Sequence, residues 1–421
     1  MSIPTNNLYD FIHQVTKRQF WLAYFYPWGS RELTNIVEYH KLTQHPNLDN
    51  AIPWHSRRDK DFFPETLCND NSLRDMQPVL LCHDQEPLMF DLYSKDFEIT
   101  KNFLKIRGID TKVIANDNID LNLRYRIPGS MQKYFILLHS ELNSPEVEKY
   151  NNSGMFKTAF WWSHALISRD WYRFAKYDLS LNKQQIKNLF LVYCRDTTGY
   201  RSYRKDFLSM LNSKSLKEHC YIPSELSIID SDASATYVAS DFNSTAISIV
   251  LETVFDQRIH LTEKILRPIA CGHPFIIAAG PGTLGFLKQY GFKTFSPFID
   301  ESYDLITDNS LRLQAIASEM KRISLLNSVQ LSQLLSNCQE IANHNKKVFF
   351  SDEFQDLIIN ELVANVNRAF EETGNEIDFE SYRSRRNLYK RAGLQHEVIK
   401  TGFKREAMFV LRKQRLASRG Q

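Results

Sequence analysis

Residues 248–304 hold the densest group of side chains that could bind an anion. Lys264 and Arg267 are three positions apart, on one face of a predicted helix that Thr262 would cap. Further along, Gly282 and Thr283 belong to a Gly-Pro-Gly-Thr loop, which joins a predicted buried strand to another helix. The first N–H groups of a helix favour anions. These residues therefore predict a site for a diphosphate, and the carboxylates of Glu252 and Glu263 could accept hydrogen bonds from sugar or ribose hydroxyls.

Three arginines follow the predicted strand at residues 189–193. Arg195 and Arg201 fall in the loop after that strand, and Arg204 falls in the next helix. A guanidinium group binds phosphate through two parallel hydrogen bonds. This crossover predicts a second clamp on the diphosphate, and the alternative is a set of surface arginines beside neighbouring aspartates.

Two other loops at predicted strand ends carry candidates for a general base. One loop contains Asp84 and Glu86, and the other contains His139 and Glu141. Polar residues in loops at strand ends are often functional, and a base is usually a carboxylate or a histidine. We favour Asp84 or Glu86 as the base, with His139 and Glu141 as alternates on the acceptor side. The alternative for Asp84 or Glu86 is a cap on the next helix.

Short apolar runs alternate with helical patterns along the chain, which predicts an α/β fold with parallel sheets. The predicted strands are residues 21–26, 79–82, 112–115, 134–139, 158–163, 189–193, 227–230, 246–251, 275–278 and 293–295. The predicted helices include residues 203–211, 261–270, 284–290, 310–325 and a helical stretch over 330–370. With a polar linker at residues 182–187, the pattern predicts two doubly wound, Rossmann-like domains that face a cleft. Their predicted bounds are 1–180 and 188–350, with C-terminal helices and a basic tail over 351–421.

Charge is distributed unevenly over the 421 residues. Residues 381–421 contain twelve Lys and Arg against two Glu, a net charge of +10, whereas the whole chain carries +3 and the first 380 residues therefore −7. A basic tail on an acidic body predicts a polyanionic partner, either nucleic acid or an anionic membrane surface. The alternative is a solvated tail without a function.

Other features exclude several classes of protein. The six cysteines are widely spaced and without a Cys-x-x-Cys pair, so we expect buried thiols in a reducing cytosol. The aromatic run at residues 20–28 is too short to span a membrane and contains a proline. Two Asp-x-Asp matches, at residues 59–61 and 230–232, are attributed to chance, and no metal site is predicted.

The sequence Thr262-Glu263-Lys264, after a strand that ends in Glu252 and before a helix and the strand His-Pro-Phe-Ile-Ile, resembles the donor-binding domain of GT-B glycosyltransferases. It is most similar to the fucosyltransferase-type members. Residues 291–304 resemble the same region in glycosyltransferase-like proteins of large tailed phages and marine bacteria. The specific resemblance covers about sixty residues. It implies that Lys264 contacts donor phosphate and that Glu263 contacts ribose or sugar hydroxyls.

The sequence departs from the retaining GT-B pattern, because no Glu-x7-Glu spacing begins at Glu252. The resemblance therefore implies an inverting glycosyltransferase that uses a nucleotide sugar as co-substrate and no cofactor or metal. With the basic tail, it predicts a hydroxymethylated base in DNA as acceptor. The predicted location is the cytoplasm, which is that of the host if the protein is viral. Alternatives are a cell-surface polysaccharide or lipid-linked acceptor, and a non-catalytic protein that binds a glycan or nucleotide.

Overall fold

The computed structural model describes residues 15–16, 21–24, 79–82, 87–88, 135–152, 156–182, 185–223, 234 and 236–373. Two sheets of four parallel strands organise this part of the chain, in agreement with the predicted α/β class. No helix among these residues is long and apolar enough to cross a membrane.

The first sheet has its strands in chain order, with every neighbouring pair parallel. The strands are β1 (Trp21–Tyr24), β2 (Val79–Cys82), β3 (Phe135–His139) and β4 (Phe156–Phe160). Since the strands are parallel and in register, their carboxyl ends lie along one edge of the sheet. His139, at the end of β3, pairs with Phe160 at the end of β4.

The second sheet is also parallel, in the order β6-β5-β7-β8. Its strands are β5 (Asn188–Val192), β6 (Cys220–Tyr221), β7 (Thr245–Leu251) and β8 (Phe275–Ala278). All seven residues of β7 are buried, as expected for a central strand with both faces covered. This strand leads to the segment that contains Thr262, Glu263 and Lys264.

Helices cover the sheets and connect them. They are α1 (Pro145–Asn152), α2 (Ser163–Trp171), α3 (Tyr203–Ser213), α4 (Ala239–Asn243), α5 (Glu263–Cys271), α6 (Thr283–Gln289), α7 (Asn309–Ser324), α8 (Ser328–Phe349) and α9 (Asp352–Thr373). The last helix, α9, packs against strands β3 and β4 of the first sheet and against α2, the helix that follows β4. One continuous apolar core contains residues from both sheets and from α9. The predicted domain boundaries at 180 and 350 therefore stay predictions.

Several predicted elements differ from the observed ones. Residues 293–295 form no strand, because side chains form hydrogen bonds with their backbone. The Asn345 amide pairs with the N–H and carbonyl groups of Lys293, and the Glu301 carboxylate accepts from Phe295 N. The strand expected at 158–163 is β4 instead, and Ser163 already begins α2. The two-residue strand β6 has no predicted counterpart. The predicted strands at 112–115 and 227–230 lie outside the described residues.

The helical stretch predicted over 330–370 is two helices, α8 and α9, that meet in a corner at Phe350 and Ser351. The Ser351 hydroxyl accepts a hydrogen bond from Phe354 N at 3.1 Å and so begins the second helix. Arg169 of α2 donates to the carbonyls of Phe349 and Ser351. Because the half-buried guanidinium of Arg169 satisfies these carbonyls, the chain can turn here without leaving these two carbonyl groups unpaired.

Candidate functional site

The end of β3 is joined directly to the segment that follows β7. Leu142 and Ile259 form an antiparallel bridge, with hydrogen bonds of 2.9 Å and 3.0 Å between their backbone groups. The Trp162 indole also donates to the Leu261 carbonyl at 2.9 Å. These contacts bring a strand end of the first sheet against the connection from β7 to α5 in the second sheet. We call the polar residues at this contact the sheet junction: His139, Glu141, His164, Arg258 and His260.

Glu141 is the centre of the sheet junction and is 2% exposed. It accepts hydrogen bonds from Leu88 N at 2.6 Å and from the Ser144 hydroxyl at 2.5 Å. Arg258 Nη1 lies 3.6 Å from one carboxylate oxygen, and His260 Nδ1 lies 3.4 Å from the other. Burial alone would raise the pKa of Glu141, but His260, Arg258 and Ser144 lower that pKa to about 2. The carboxylate is therefore ionised at neutral pH.

His139 lies beside Glu141 and is neutral at pH 7. Burial lowers the pKa of the His139 imidazole to about 4, although Glu141 acts in the opposite direction. Its Nδ1 accepts a hydrogen bond from Glu141 N at 3.3 Å, and its ring meets Phe160 edge-on. Since Nδ1 is an acceptor, Nε2 carries the proton of the neutral ring.

Arg258 connects the junction to the protein surface. Its guanidinium binds both carboxylate oxygens of Asp256 and donates to the Leu88 carbonyl at 3.3 Å. It also lies 4.7 Å from the centre of the Tyr200 ring, which is 37% exposed. This buried arginine is thus held by two carboxylates, Asp256 and Glu141, while an aromatic side chain covers it from the outside.

His260 belongs to this cluster and was not among the predicted site residues. It is 2% exposed, and its ring lies 5.7 Å from that of His164 in a T-shaped arrangement. Its Nδ1 faces Glu141, while its Nε2 is buried and makes no hydrogen bond to any residue that the structure describes. The available signal was its position in the sequence, two residues before Thr262 in a connection that follows a buried strand.

Thr262 caps helix α5, as predicted, and its hydroxyl accepts a hydrogen bond from Lys264 N. Glu252, however, also serves this helix end. Its carboxylate accepts from the N–H groups of Thr262 and Ile265, both at 3.2 Å, and from the Thr262 hydroxyl at 2.6 Å. Glu252 is fully buried. Its carboxylate therefore caps α5, and the predicted contact of Glu252 with sugar or ribose hydroxyls stays a prediction.

Lys264 is the cation of this segment that keeps contact with solvent, with 28% of its side chain exposed. Its Nζ lies 2.9 Å from Glu263 Oε1 and 3.2 Å from the Thr262 hydroxyl. Burial would raise the pKa of Glu263, but Lys264, His164 and Arg267 lower it below its usual range. Glu263 is thus an ionised partner of Lys264, and the effect of His164 on its pKa shows that this pair lies near the sheet junction.

Arg267 does not share the exposure of Lys264, although the two residues are three positions apart. It is 8% exposed and donates to the Tyr172 hydroxyl at 3.2 Å and to the Ser234 carbonyl at 3.1 Å. Its guanidinium also lies over the rings of Tyr172 and Tyr193. The contacts with Tyr172 hold α5 against the residues that follow α2, so the predicted phosphate contact of Arg267 has no support in its surroundings.

The three arginines after β5 have different environments. Arg204 is 3% exposed and donates to the backbone carbonyls of Asp196, Leu251 and Glu252, so it fastens α3 to the end of β7. Arg201 lies 3.4 Å from Asp196 and is 22% exposed. Arg195 is exposed. Arg195 and Arg201 therefore remain candidates for phosphate binding, whereas the contacts of Arg204 are structural.

The hydrogen-bonding groups of the Gly-Pro-Gly-Thr loop and of the helix after it also have partners within the protein. Gly282 caps α6 with a φ of 82°, a conformation that favours glycine. The Thr283 hydroxyl donates to the Gly280 carbonyl at 2.7 Å, and Asp304 accepts from Leu284 N at 3.1 Å. A Cβ on Gly280 would lie 1.9 Å from the Arg258 carbonyl, so this glycine permits close packing beneath the junction. The anion at this helix end is Asp304, where phosphate was predicted.

Asp84 and Glu86 lie outside the described residues, as do the basic tail at 381–421 and both Asp-x-Asp matches. Their predicted roles stay predictions. Within the described ranges, no group of three or more His, Cys, Asp or Glu is arranged to hold a metal ion. Comparison with protein-family models, curated proteins and solved structures finds no match to this chain.

Proposed function

We propose that this protein is an inverting glycosyltransferase with the two-domain GT-B arrangement, which transfers a sugar from a nucleotide-sugar donor to an acceptor hydroxyl. The observation that carries the proposal is the sheet junction. There, titratable groups at the end of β3 contact the connection that leads to the partly exposed Lys264 of α5. Glu263, the ion-pair partner of Lys264, is close enough to His164 of the junction for His164 to lower its pKa. Ligands of open parallel sheets bind at the carboxyl ends of the strands.

In the proposed reaction, Lys264 stabilises the negative charge that develops on the leaving diphosphate. Arg201 and Arg195 are the further candidates for this role, since both retain solvent contact. A fixed cation next to a leaving anion acts by electrostatic stabilisation of the transition state. Because side chains supply the positive charge, the proposal predicts turnover in the presence of a chelator.

The acceptor that we propose is a hydroxymethylated base in DNA. Support comes from the charge of +10 over residues 381–421, which is suited to a polyanion, and from the sequence resemblance to phage proteins. A base in a duplex would have to leave the stack in order to reach a site between two sheets.

The experiment for the donor is a panel of nucleotide sugars incubated with the protein, with and without hydroxymethylated DNA, and analysed by mass spectrometry. The proposal expects release of nucleoside diphosphate from at least one donor and a hexose or pentose mass added to the base. Tight nucleotide binding without release from any donor would support the non-catalytic alternative and contradict the proposal.

The experiment for the acceptor compares duplex DNA with anionic liposomes at matched ionic strength. Each phosphate contact contributes about −0.9 to the slope of log K against log salt on duplex DNA. Deletion of the chain from Arg383 onward should flatten this slope and raise the apparent KM for DNA, while donor hydrolysis continues. A thermal melt checks that the shortened protein is folded. Binding to liposomes but not to DNA would contradict the DNA acceptor and favour a lipid-linked one.

A further inference from the structure

The polar groups of the sheet junction differ in their capacity to accept a proton. Glu141 already accepts hydrogen bonds from Leu88 N and from the Ser144 hydroxyl, and it faces Arg258 as well. All of these groups are donors, and they stabilise the ionised carboxylate. A carboxylate held in this way is a weak base. The neighbouring His139 uses Nδ1 to accept from Glu141 N, so its other nitrogen carries a proton.

His260 differs from both groups. An ionised carboxylate only accepts hydrogen bonds, so the His260 nitrogen that faces Glu141, Nδ1, carries a proton. The neutral ring then has its lone pair on Nε2, on the opposite side of the imidazole. No described residue donates to that nitrogen. In many enzymes, a hydroxyl nucleophile is activated by a histidine in which one ring nitrogen accepts the proton and the other is held by a carboxylate.

A second buried histidine shows what a structural role looks like in the same fold. His273 is 3% exposed, and each of its ring nitrogens has a partner: the Ser248 hydroxyl at 2.8 Å and the Thr245 carbonyl at 3.0 Å. Burial lowers the pKa of His273 to about 4. Both nitrogens of His273 are thus used within the fold, whereas Nε2 of His260 has no hydrogen-bond partner among the residues that the structure describes.

We propose that Glu141 and His260 form a dyad in which His260 Nε2 accepts the proton of a hydroxyl nucleophile, either an acceptor alcohol or water, and Glu141 positions the imidazole. This inference rests on the proposed function for the identity of the electrophile. The hydroxyl oxygen forms a bond to the anomeric carbon while the bond from that carbon to the diphosphate oxygen breaks. The electron pair leaves with the diphosphate, and the hydroxyl proton moves to Nε2 and later to solvent.

Titratable and charged groups surround His260 on several sides. Glu141 and His139 face it from the end of β3, Arg258 from its own segment, and His164 from α2. Glu141 positions the imidazole and stabilises the imidazolium that forms during turnover. Glu141→Gln should therefore lower turnover with little change in donor affinity, whereas a purely structural role for Glu141 would appear as a lower melting temperature.

The first test is the tautomer of His260 in the wild-type protein, measured by nitrogen NMR with ¹⁵N-labelled histidine and assigned with His260→Asn. The proposal expects a protonated Nδ1 and a bare Nε2 at neutral pH. A proton on Nε2 of the neutral ring would overturn it. This result does not depend on turnover, so it separates a failure of the dyad from a failure of the proposed function.

The second test is release of nucleoside diphosphate by variants that pass a thermal melt. His260→Ala should lose about 10²–10⁴-fold in turnover with little change in donor affinity, and added imidazole should restore part of the rate. His344→Asn, at a half-exposed position on α8, is the control and should retain the wild-type rate. Full turnover in His260→Ala, or loss only in Asp84→Asn or Glu86→Gln, would overturn the dyad while the transferase proposal stands.

Discussion

The N-termini of α5 and α6 follow neighbouring strands of one sheet, and the sequence predicts a phosphate at both. In the structure, a buried carboxylate occupies each of them: Glu252 at α5 and Asp304 at α6. The two helix ends differ in their cations. Lys264 lies in the first turn of α5 with 28% exposure, whereas the first turn of α6 has no charged side chain.

This comparison shows that a helix N-terminus at a strand end is insufficient evidence for a phosphate site. Helix N–H groups favour any anion, and a carboxylate of the same chain can satisfy them. What distinguishes α5 is a cation that still reaches solvent and lies beside the sheet junction. We therefore place the proposed donor site at α5 and assign a structural role to the end of α6.

The largest effect is expected for Glu252→Gln, measured as the free energy of unfolding in a chemical denaturation series. The carboxylate accepts hydrogen bonds through both of its oxygens, whereas the amide of Gln has only one oxygen that can accept. At least one buried donor, an N–H group of Thr262 or Ile265 or the Thr262 hydroxyl, therefore loses its acceptor. Loss of a cap and of a buried hydrogen bond predicts a cost of roughly 2–4 kcal/mol. Glu340→Gln, at an exposed position on α8, is the matched control. Equal stability of the two variants would contradict the capping role.

A somewhat smaller effect is expected for Lys264→Ala, in nucleotide-sugar binding rather than in folding. One charge-assisted phosphate contact is worth about 1.5–3 kcal/mol, so affinity should fall roughly ten- to a hundredfold. Lys288→Ala, an exposed lysine on α6, should bind as the wild type does. Calorimetric titration measures both variants. Unchanged binding by a folded Lys264→Ala variant would remove α5 as the donor site.

The smallest effect is expected for Asp304→Asn, and it is a gain in the free energy of unfolding rather than a loss. Burial raises the pKa of Asp304 to about 6, although Leu284 N lowers it. The folded state therefore holds this proton more tightly than the unfolded state, and wild-type stability should fall as pH rises from about 4 to about 6. Asn keeps an acceptor for Leu284 N without the buried charge.

At pH 7 the Asp304→Asn protein should thus equal the wild type or exceed it in stability by about 1 kcal/mol. Thermal melts at pH 4, 5, 6 and 7 provide the measurement, and the variant should lose the wild-type decline over this range. A strong loss of stability in Asp304→Asn at pH 7 would show that the charge itself stabilises α6. The contrast with Glu252 would then disappear.

The strands that carry the junction could be predicted from the sequence because they are short, apolar on both faces and bounded by polar loops. Strand β8 was predicted with its observed bounds, and Thr262 caps α5 as predicted. The prediction at 293–295 was wrong, because an apolar run can be held by side chains from distant residues such as Asn345. Spacing within the run carries no information about such partners.

The environments of the charged residues could not be predicted from spacing alone. The spacing of Lys264 and Arg267 places them on one helical face. In the structure, however, Arg267 lies over the rings of Tyr172 and Tyr193, which are far away in the sequence. Similarly, nothing local indicates that Glu252 points at the end of α5, or that Glu141 lies next to His260. The pairing of Glu141 with His260 arises only when the two sheets come together. Of the five residues of the sheet junction, only His139 and Glu141 were predicted as site residues.

Hydrogen–deuterium exchange with and without nucleoside diphosphates locates the donor site. If the site lies at α5, a bound diphosphate slows exchange in peptides covering residues 252–267 and 139–144, with no change in peptides covering 280–290. The Lys264→Ala protein should lose this protection at the same ligand concentration. Protection of residues 280–290 without protection of 252–267 would instead place the donor site at α6.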